Sequence, residues 1–308
     1  MLSFLVPAYN CEDVIDEAVA SALGQSLDCD TEVVIVDDGS TDSTAQRLRA
    51  WEKRCPGRVR LGFHEENRGG AATRNTAASL AAGELLYMLD ADNVLPDGCV
   101  GSQLDLIRDT GLDAISVGQL YYFEGSTADV IDGWVQRHTD GRSTVRHLFE
   151  SLKVPPSHGN YLYTRRLFEA VGGYPEDAAA MDTWTFGLKH LARGYEVGID
   201  RHSYYLHRVN RPNRESYWTR EERLGTNDIN AIRELVREID NLPEDLRALV
   251  MALKPHDRFF TLVTSGAFRS DSAHLRVVRR RRRVERTALT GMEFPLRIVK
   301  SVRSRIAI

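Results

Sequence analysis

The stretch Leu85-Leu86-Tyr87-Met88-Leu89 runs straight into Asp90-Ala91-Asp92-Asn93. A continuous apolar run of this length is what a strand covered on both faces needs, and such strands belong to parallel sheets flanked by helices. Open α/β sheets bind ligands outside the carboxyl ends of their strands. Two carboxylates there, one residue apart, repel each other and lose hydration on burial, so a cationic partner is expected. A hard divalent cation holding a diphosphate fills that need. The competing reading is a solvated turn, because Asp and Asn are common turn residues. Whether neighbouring strands end in the same way decides between the two.

Upstream, strand and helix alternate. Residues 2–6 form a strand closed by Pro7. Val14, Ile15, Ala18, Val19, Ala22 and Leu23 recur at helical spacing and predict a helix over 12–27. A buried strand over 32–36 leads through Asp37-Asp38-Gly39-Ser40-Thr41-Asp42 into a helix over 43–54, with Asp42 or Ser43 as N-cap. A short strand over 59–63 follows, and Gly69-Gly70 open a helix to about residue 82. This alternation implies a mostly parallel, Rossmann-like sheet with helices on both faces. Beyond it the pattern predicts helices near 99–108, 164–171 and 182–193, strands near 113–122 and 197–206, and mostly helical, polar segments from 211 onward.

Four polar loops thus follow four strands: Pro7-Ala8-Tyr9-Asn10, Asp37-Asp38-Gly39-Ser40, Asn67-Arg68-Gly69-Gly70 with Arg74-Asn75, and Asp90-Ala91-Asp92. A doubly wound sheet brings them to one rim, which argues for a nucleotide cleft. Tyr9 can stack on a base. Asp38 can accept the imide N–H of uracil or the amino group of guanine. Gly69 and Gly70 allow close backbone approach and open a helix whose N-terminus favours anions. Arg74 can pair with phosphate or with the carboxylates. Asp90 can hold ribose hydroxyls while Asp92 reaches the metal.

Together Val6-Pro7-Ala8-Tyr9-Asn10, residues 36–42, Asn67 to Asn75 and Leu89-Asp90-Ala91-Asp92 resemble family 2 glycosyltransferases of the GT-A fold, over about residues 2–210. The resemblance implies an inverting hexosyltransferase-type enzyme, a nucleotide-diphosphate sugar donor (UDP by family habit) and Mn2+ or Mg2+. It assigns Pro7, Ala8, Tyr9, Asp38, Gly70, Arg74, Asp90 and Ala91 to the donor nucleotide and Asp92 to the metal. Gly172-Gly173-Tyr174-Pro175 fits the family's later turn, and Met181-Asp182-Thr183-Trp184 fits the helix start that carries the catalytic base. The usual acidic pair is reduced to Met181-Asp182, so Asp182 keeps the role, with Glu176 and Asp177 as fallbacks. Against this, Asp182 could be only a helix N-cap. His207 stands where relatives often complete the metal site. His158-Gly159-Asn160 is expected to line an acceptor or sugar pocket, whereas Trp134 and Trp184 are expected in the core.

The implied division is a nucleotide-sugar-binding half over 1–98, an acceptor-binding and catalytic half over 99–210, and a helical extension over 211–308. In the 308-residue chain the net charge of −4 hides an asymmetry: residues 269–308 carry twelve Lys and Arg against three Asp and Glu. Arg297, Lys300, Arg303 and Arg305 interleave with Leu296, Ile298, Val299, Val302 and Ile306 at amphipathic spacing. A peripheral membrane contact or a partner chain, including a homo-oligomer, fits this tail better than nucleic acid, because the rest of the chain is acidic. Four scattered cysteines without Cys-x-x-Cys exclude a zinc ribbon and suit a reducing, cytoplasmic compartment. No signal peptide or membrane-spanning run is read. The expected reaction is transfer of the sugar to a glycan or other acceptor hydroxyl in polysaccharide or glycoconjugate biosynthesis. A retaining GT-A transferase and a catalytically silent sugar-nucleotide-binding subunit are the alternatives.

Overall fold

The central sheet runs in the order β3-β2-β1-β4-β8-β5-β9-β7, with β6 paired to β5. The computed structural model describes residues 1–135, 142–150, 159–178, 181–211, 229–239, 241–254 and 259. The Arg-rich tail and His158 lie outside these residues. The parallel half consists of β1 (Leu2–Ala8), β2 (Thr31–Asp37), β3 (Val59–Phe63) and β4 (Leu85–Met88). Their helical connections are α1 (Ile15–Leu23), α2 (Thr44–Arg54) and α3 (Gly70–Leu80). Then come α4 (Cys99–Thr110), β5 (Ala114–Phe123), β6 (Val130–Val135), β7 (Arg142–Ser143) and α5 (Val145–Glu150). The chain continues through β8 (Leu162–Thr164), α6 (Arg165–Val171), α7 (Asp182–Ala192) and β9 (Val197–Arg208), then α8 (Ile229–Glu238) and α9 (Glu244–Met251).

The alternation of side chains along β1 explains its place at the centre. Leu2, Phe4 and Val6 enter one apolar cluster with Ile15, Val19 and Leu104, while Leu5 enters the other with Ala77, Met88 and Leu167. Leu2, Phe4, Leu5 and Val6 are all wholly buried, as a strand between two helical layers must be. Each such side chain contributes about 1.5–3 kcal/mol through burial.

Two expectations need correction. The first strand does not stop at Pro7, which pairs with Val36 inside β1. The pairing of β1 with β4 ends at Leu5, so Pro7 sits where that side of the strand has no ladder to break. The first helix covers Ile15–Leu23 and not 12–27, because residues 10–12 bond to the β2–α2 loop and Gly24 caps the helix. Of the two N-cap candidates for α2, Asp42 makes the bond: its Oδ1 accepts from the Thr44 N–H at 2.9 Å, whereas Ser43 makes no side-chain cap bond. The sequence also gave no sign of β8, three residues that pair antiparallel with both β4 and β5 and join the two halves of the sheet.

Candidate active site

The loops after β1 and β2 are knotted together before any ligand arrives. Asn10 takes a left-handed conformation (φ 45°), and its Oδ1 accepts from the Thr41 N–H at 2.8 Å. The Asn10 N–H donates to Ser40 Oγ and the Cys11 N–H to Thr44 Oγ1, both at 2.8 Å. Arg211 reaches back to donate to the Asn10 carbonyl and to pair with Asp13. Burial pushes the Cys11 thiol up to about 12, so it is inert as a nucleophile. Pro7 and Ala8 close β1 just before this corner, and Tyr9 after them is 47% exposed.

Asp38 is buried beside it and organises the third loop. Its Oδ1 accepts from the Arg68 N–H (2.9 Å) and lies 2.7 Å from His64 Nδ1; its Oδ2 accepts from the Gly69 N–H (2.9 Å). Gly39 makes this approach possible. Its φ is +69°, and a Cβ there would lie 2.7 Å from the Glu66 carbonyl carbon.

On α3, which starts at Gly70 directly after that loop, Arg74 joins two acidic elements. Nη2 donates to Asp90 Oδ1 at 2.8 Å, and Nη1 donates to Asp182 Oδ2, although Asp182 is 108 residues away in the chain. A Cβ on Gly70 would sit 2.7 Å from Arg74 Nη1 and 3.2 Å from Asp182 Oδ2, so the bridge needs glycine at that position. Asn160 holds Asp90 from the other side: its Oδ1 accepts from the Asp90 N–H and its Nδ2 donates to Asp90 Oδ2, both at 2.8 Å. Burial acts to raise the Asp90 pKa, but the Arg74 charge and the Asn160 and Arg74 hydrogen bonds outweigh it and leave Asp90 below its ordinary value. For Asp182 the balance reverses. Burial dominates over the Arg74 charge, and its pKa is raised above the ordinary 3.8. Burial alone would depress Arg74, but Asp182 and Asp90 push it above its usual range.

The helix that carries Asp182 is fixed by aromatic packing. Trp184 is 2% exposed, and the Phe186 ring stacks on Tyr174 with centroids 4.2 Å apart. Tyr174 is in turn held by Asn75, which accepts from its N–H and donates to its carbonyl, both at 2.9 Å. The Gly-Gly-Tyr turn and the Arg-Asn pair of α3 are therefore one mechanical unit.

Asp92 is half-buried in the turn after β4, and its carbonyl accepts from Arg208 Nε at 3.3 Å. Val94 and Leu206 exchange backbone hydrogen bonds, so the end of β9 lies along this turn. That brings His207, 8% exposed, close enough to Asp90 to help lower its pKa. Among the described residues no three His, Cys, Asp or Glu side chains form a group that could hold a metal alone. Asp92 and His207 bring a carboxylate and an imidazole to neighbouring stretches of backbone, donor types that suit a divalent cation.

A model of glycosyl transferase family 2 matches residues 3–172, more than half of the chain. The chain belongs to this family. It is 31% identical over 127 residues to the glycosyltransferase GlyG of Streptococcus pneumoniae, a match covering 41% of each protein. It is 36% identical over 133 residues to the succinoglycan biosynthesis protein ExoU of Rhizobium meliloti, covering 43% of this chain and 37% of that one. The chain thus spans about two-fifths of the length of these relatives. Among solved structures, residues 1–349 of S. aureus TarS in complex with UDP-GlcNAc superpose with a TM-score of 0.62 at 20% identity, covering 89% of this chain and 77% of TarS. The mannosyltransferase PcManGT of Pyrobaculum calidifontis, in complex with GDP-Man and Mn2+, gives 0.59 at 19% identity, covering 93% and 81%. These likenesses establish the GT-A fold.

In this family member the rim gathers Pro7, Ala8, Tyr9, Asp38, Gly70, Arg74, Asp90, Ala91, Asp92, Asp182 and His207 at strand ends and helix starts of one continuous sheet. Of the two partners open to Arg74 on sequence, the geometry gives it carboxylates. Met181, where the family resemblance expects the first acid of a pair, is 2% exposed and belongs to the apolar cluster. Trp134 and Trp184 are buried as expected. Glu176 is exposed and accepts from Asn75 Nδ2 at 3.1 Å. His64 is the contributor that sequence reasoning missed, and Asn160, expected to line an acceptor or sugar pocket, clamps Asp90; neither contact has a local signal, because the partners are 26 and 70 residues away.

Proposed function

We propose that the protein is an inverting glycosyltransferase that moves a sugar from a UDP-sugar to an acceptor hydroxyl in glycan assembly. The observation that carries this is the Arg74 bridge, which sets a buried carboxylate of raised pKa beside the carboxylate at the end of β4. Asp182 takes the proton of the acceptor hydroxyl as that oxygen attacks the anomeric carbon, and the bond to the diphosphate breaks on the opposite face. A base of raised pKa matches this task better than an ordinary Asp. Asp90 retains acceptor capacity for ribose hydroxyls. Tyr9 offers an exposed ring for stacking on the base.

Asp38 already accepts three protein N–H groups, two on Oδ1 and one on Oδ2, if His64 Nδ1 is counted as donor. A carboxylate has about four acceptor sites, so one is left on Oδ2. A single site suits the lone imide N–H of uracil and not the paired donors of guanine, which favours UDP over GDP. A Mn2+ or Mg2+ ion held by Asp92 and His207 would supply charge neutralisation for the departing diphosphate.

The test is Asp182→Asn. Transfer from UDP-sugars should fall by about 10²–10⁴-fold, while UDP still raises the melting temperature as in the wild type. Wild-type turnover by this variant removes Asp182 as base. A product of retained anomeric configuration removes inversion.

A further inference from the structure

His64 follows β3 and is buried, its side chain 6% exposed. Nδ1 lies 2.7 Å from Asp38 Oδ1, and Nε2 lies 3.0 Å from Thr76 Oγ1 on α3. Asp38 Oδ1 already accepts from the Arg68 N–H, so the hydrogen is assigned to Nδ1, which donates to the same oxygen and leaves Nε2 to accept from the Thr76 hydroxyl. The backbone places the ring firmly, because the His64 N–H donates to the Asp37 carbonyl at 2.9 Å. We propose that His64 is a positioning residue for donor recognition: braced by Thr76, it fixes the plane of the Asp38 carboxylate so that the acceptor site left on Oδ2 is held for the nucleobase N–H.

The physical need is specific. The terminal torsion of Asp is broad and two-fold, so a carboxylate keeps one plane only if donors impose it. Two of the donors, the Arg68 and Gly69 N–H groups, belong to the loop that Asp38 itself gathers. His64 is anchored independently, through Thr76 to a helix and through its own N–H to β2. It is therefore the donor that can set the angle and not merely follow it. This inference rests on the reading of Asp38 as the base contact.

The experiment is calorimetric titration of the whole 308-residue chain with UDP in the presence of Mn2+, with thermal unfolding to confirm that each variant folds. His64→Leu and His64→Asn have nearly the same branched outline, but only Asn keeps a donor near the position of Nδ1. We expect H64L to weaken UDP binding about tenfold, as losing an outer support of a ligand-binding group does. H64N should stay within about threefold of wild type, and Thr76→Val, which leaves the ring unbraced, should cost about threefold. A merely structural His64 would show as lower stability with no rescue of affinity by H64N. Wild-type affinity in H64L, or equal weakening in H64L and H64N, overturns the proposal. If H64L does not fold, wild-type affinity in T76V overturns it. Asp38→Asn separates the two levels. Unchanged affinity there removes the base contact, and this proposal with it; loss in D38N but not in H64L removes His64 alone.

Discussion

Replacing Arg74 by Met deletes the cation between Asp90 and Asp182 and leaves an apolar stem of similar length. The side chains of Arg74, Asp90 and Asp182 are 12, 24 and 8% exposed, so solvent screens the interaction little. Removing one partner of a buried pair costs about 3–5 kcal/mol. At about 2–4 °C per kcal/mol for a domain of 150–250 residues, the melting temperature should drop by on the order of 10 °C near pH 7.5. The loss should also depend on pH. In the wild type the lowered Asp90 pKa gives stability that is present above the unfolded value and is lost only as pH falls through the folded one. In the variant both carboxylates are buried without their cation, their folded pKa values rise, and the native state gains stability as pH falls. The gap between wild type and variant should therefore narrow from pH 8 to pH 5. Arg74→Met combined with Asp182→Asn should be more stable than Arg74→Met alone, because one uncompensated charge is gone. Scanning calorimetry or fluorescence melts at several pH values would measure this. A drop below about 2 °C, within the range of an ordinary surface change, or a gap independent of pH, would refute the bridge as an energetic element.

Asp182 must be ionised to act, and burial raises its pKa. kcat/KM should therefore fall as pH is lowered, with a midpoint above the ordinary 3.8, and recover as pH rises through it; a midpoint at or below 3.8 would contradict its role. Chelation of divalent ions should abolish transfer and Mn2+ should restore it, while Asp92→Asn should raise the Mn2+ concentration needed; full activity in excess chelator would exclude the metal. Asn160→Leu strips Asp90 of two hydrogen bonds, so it should cost about 1–3 kcal/mol in a denaturant melt and raise the donor KM. An unchanged KM would leave Asn160 a purely structural clamp.

The parallel half was legible because its elements are local. The run from Leu85 to Met88 is apolar for the simple reason that both faces of β4 are covered, and no distant partner is needed to see it. The elements that escaped notice depend on long-range choices. β8 is too short to show alternation, and its place in the sheet is set by Leu85–Tyr87 and Ala114–Ile115, chain segments far from it. The same holds for the site. Asp38, Asp90 and Asp182 stand out by type and position, whereas Asn75 and Asn160 look like loop or helix polar residues until their partners 99 and 70 residues away are in place. Pro7 misled because a proline normally closes a strand, and only the early end of the β1–β4 ladder makes it harmless.

The double contact of Asn75 with the Tyr174 backbone closes a loop of 99 residues with a single amide. Within that span α4, β6 and the loops beside them can change length while the closure keeps α3 and the turn before α7 in register, and β4 and Asn160 stay fixed by their own bonds. Such a closure lets those segments vary without disturbing α3 or α7. On the proposed function, it offers a physical route by which a nucleotide-binding frame is refitted for new acceptors.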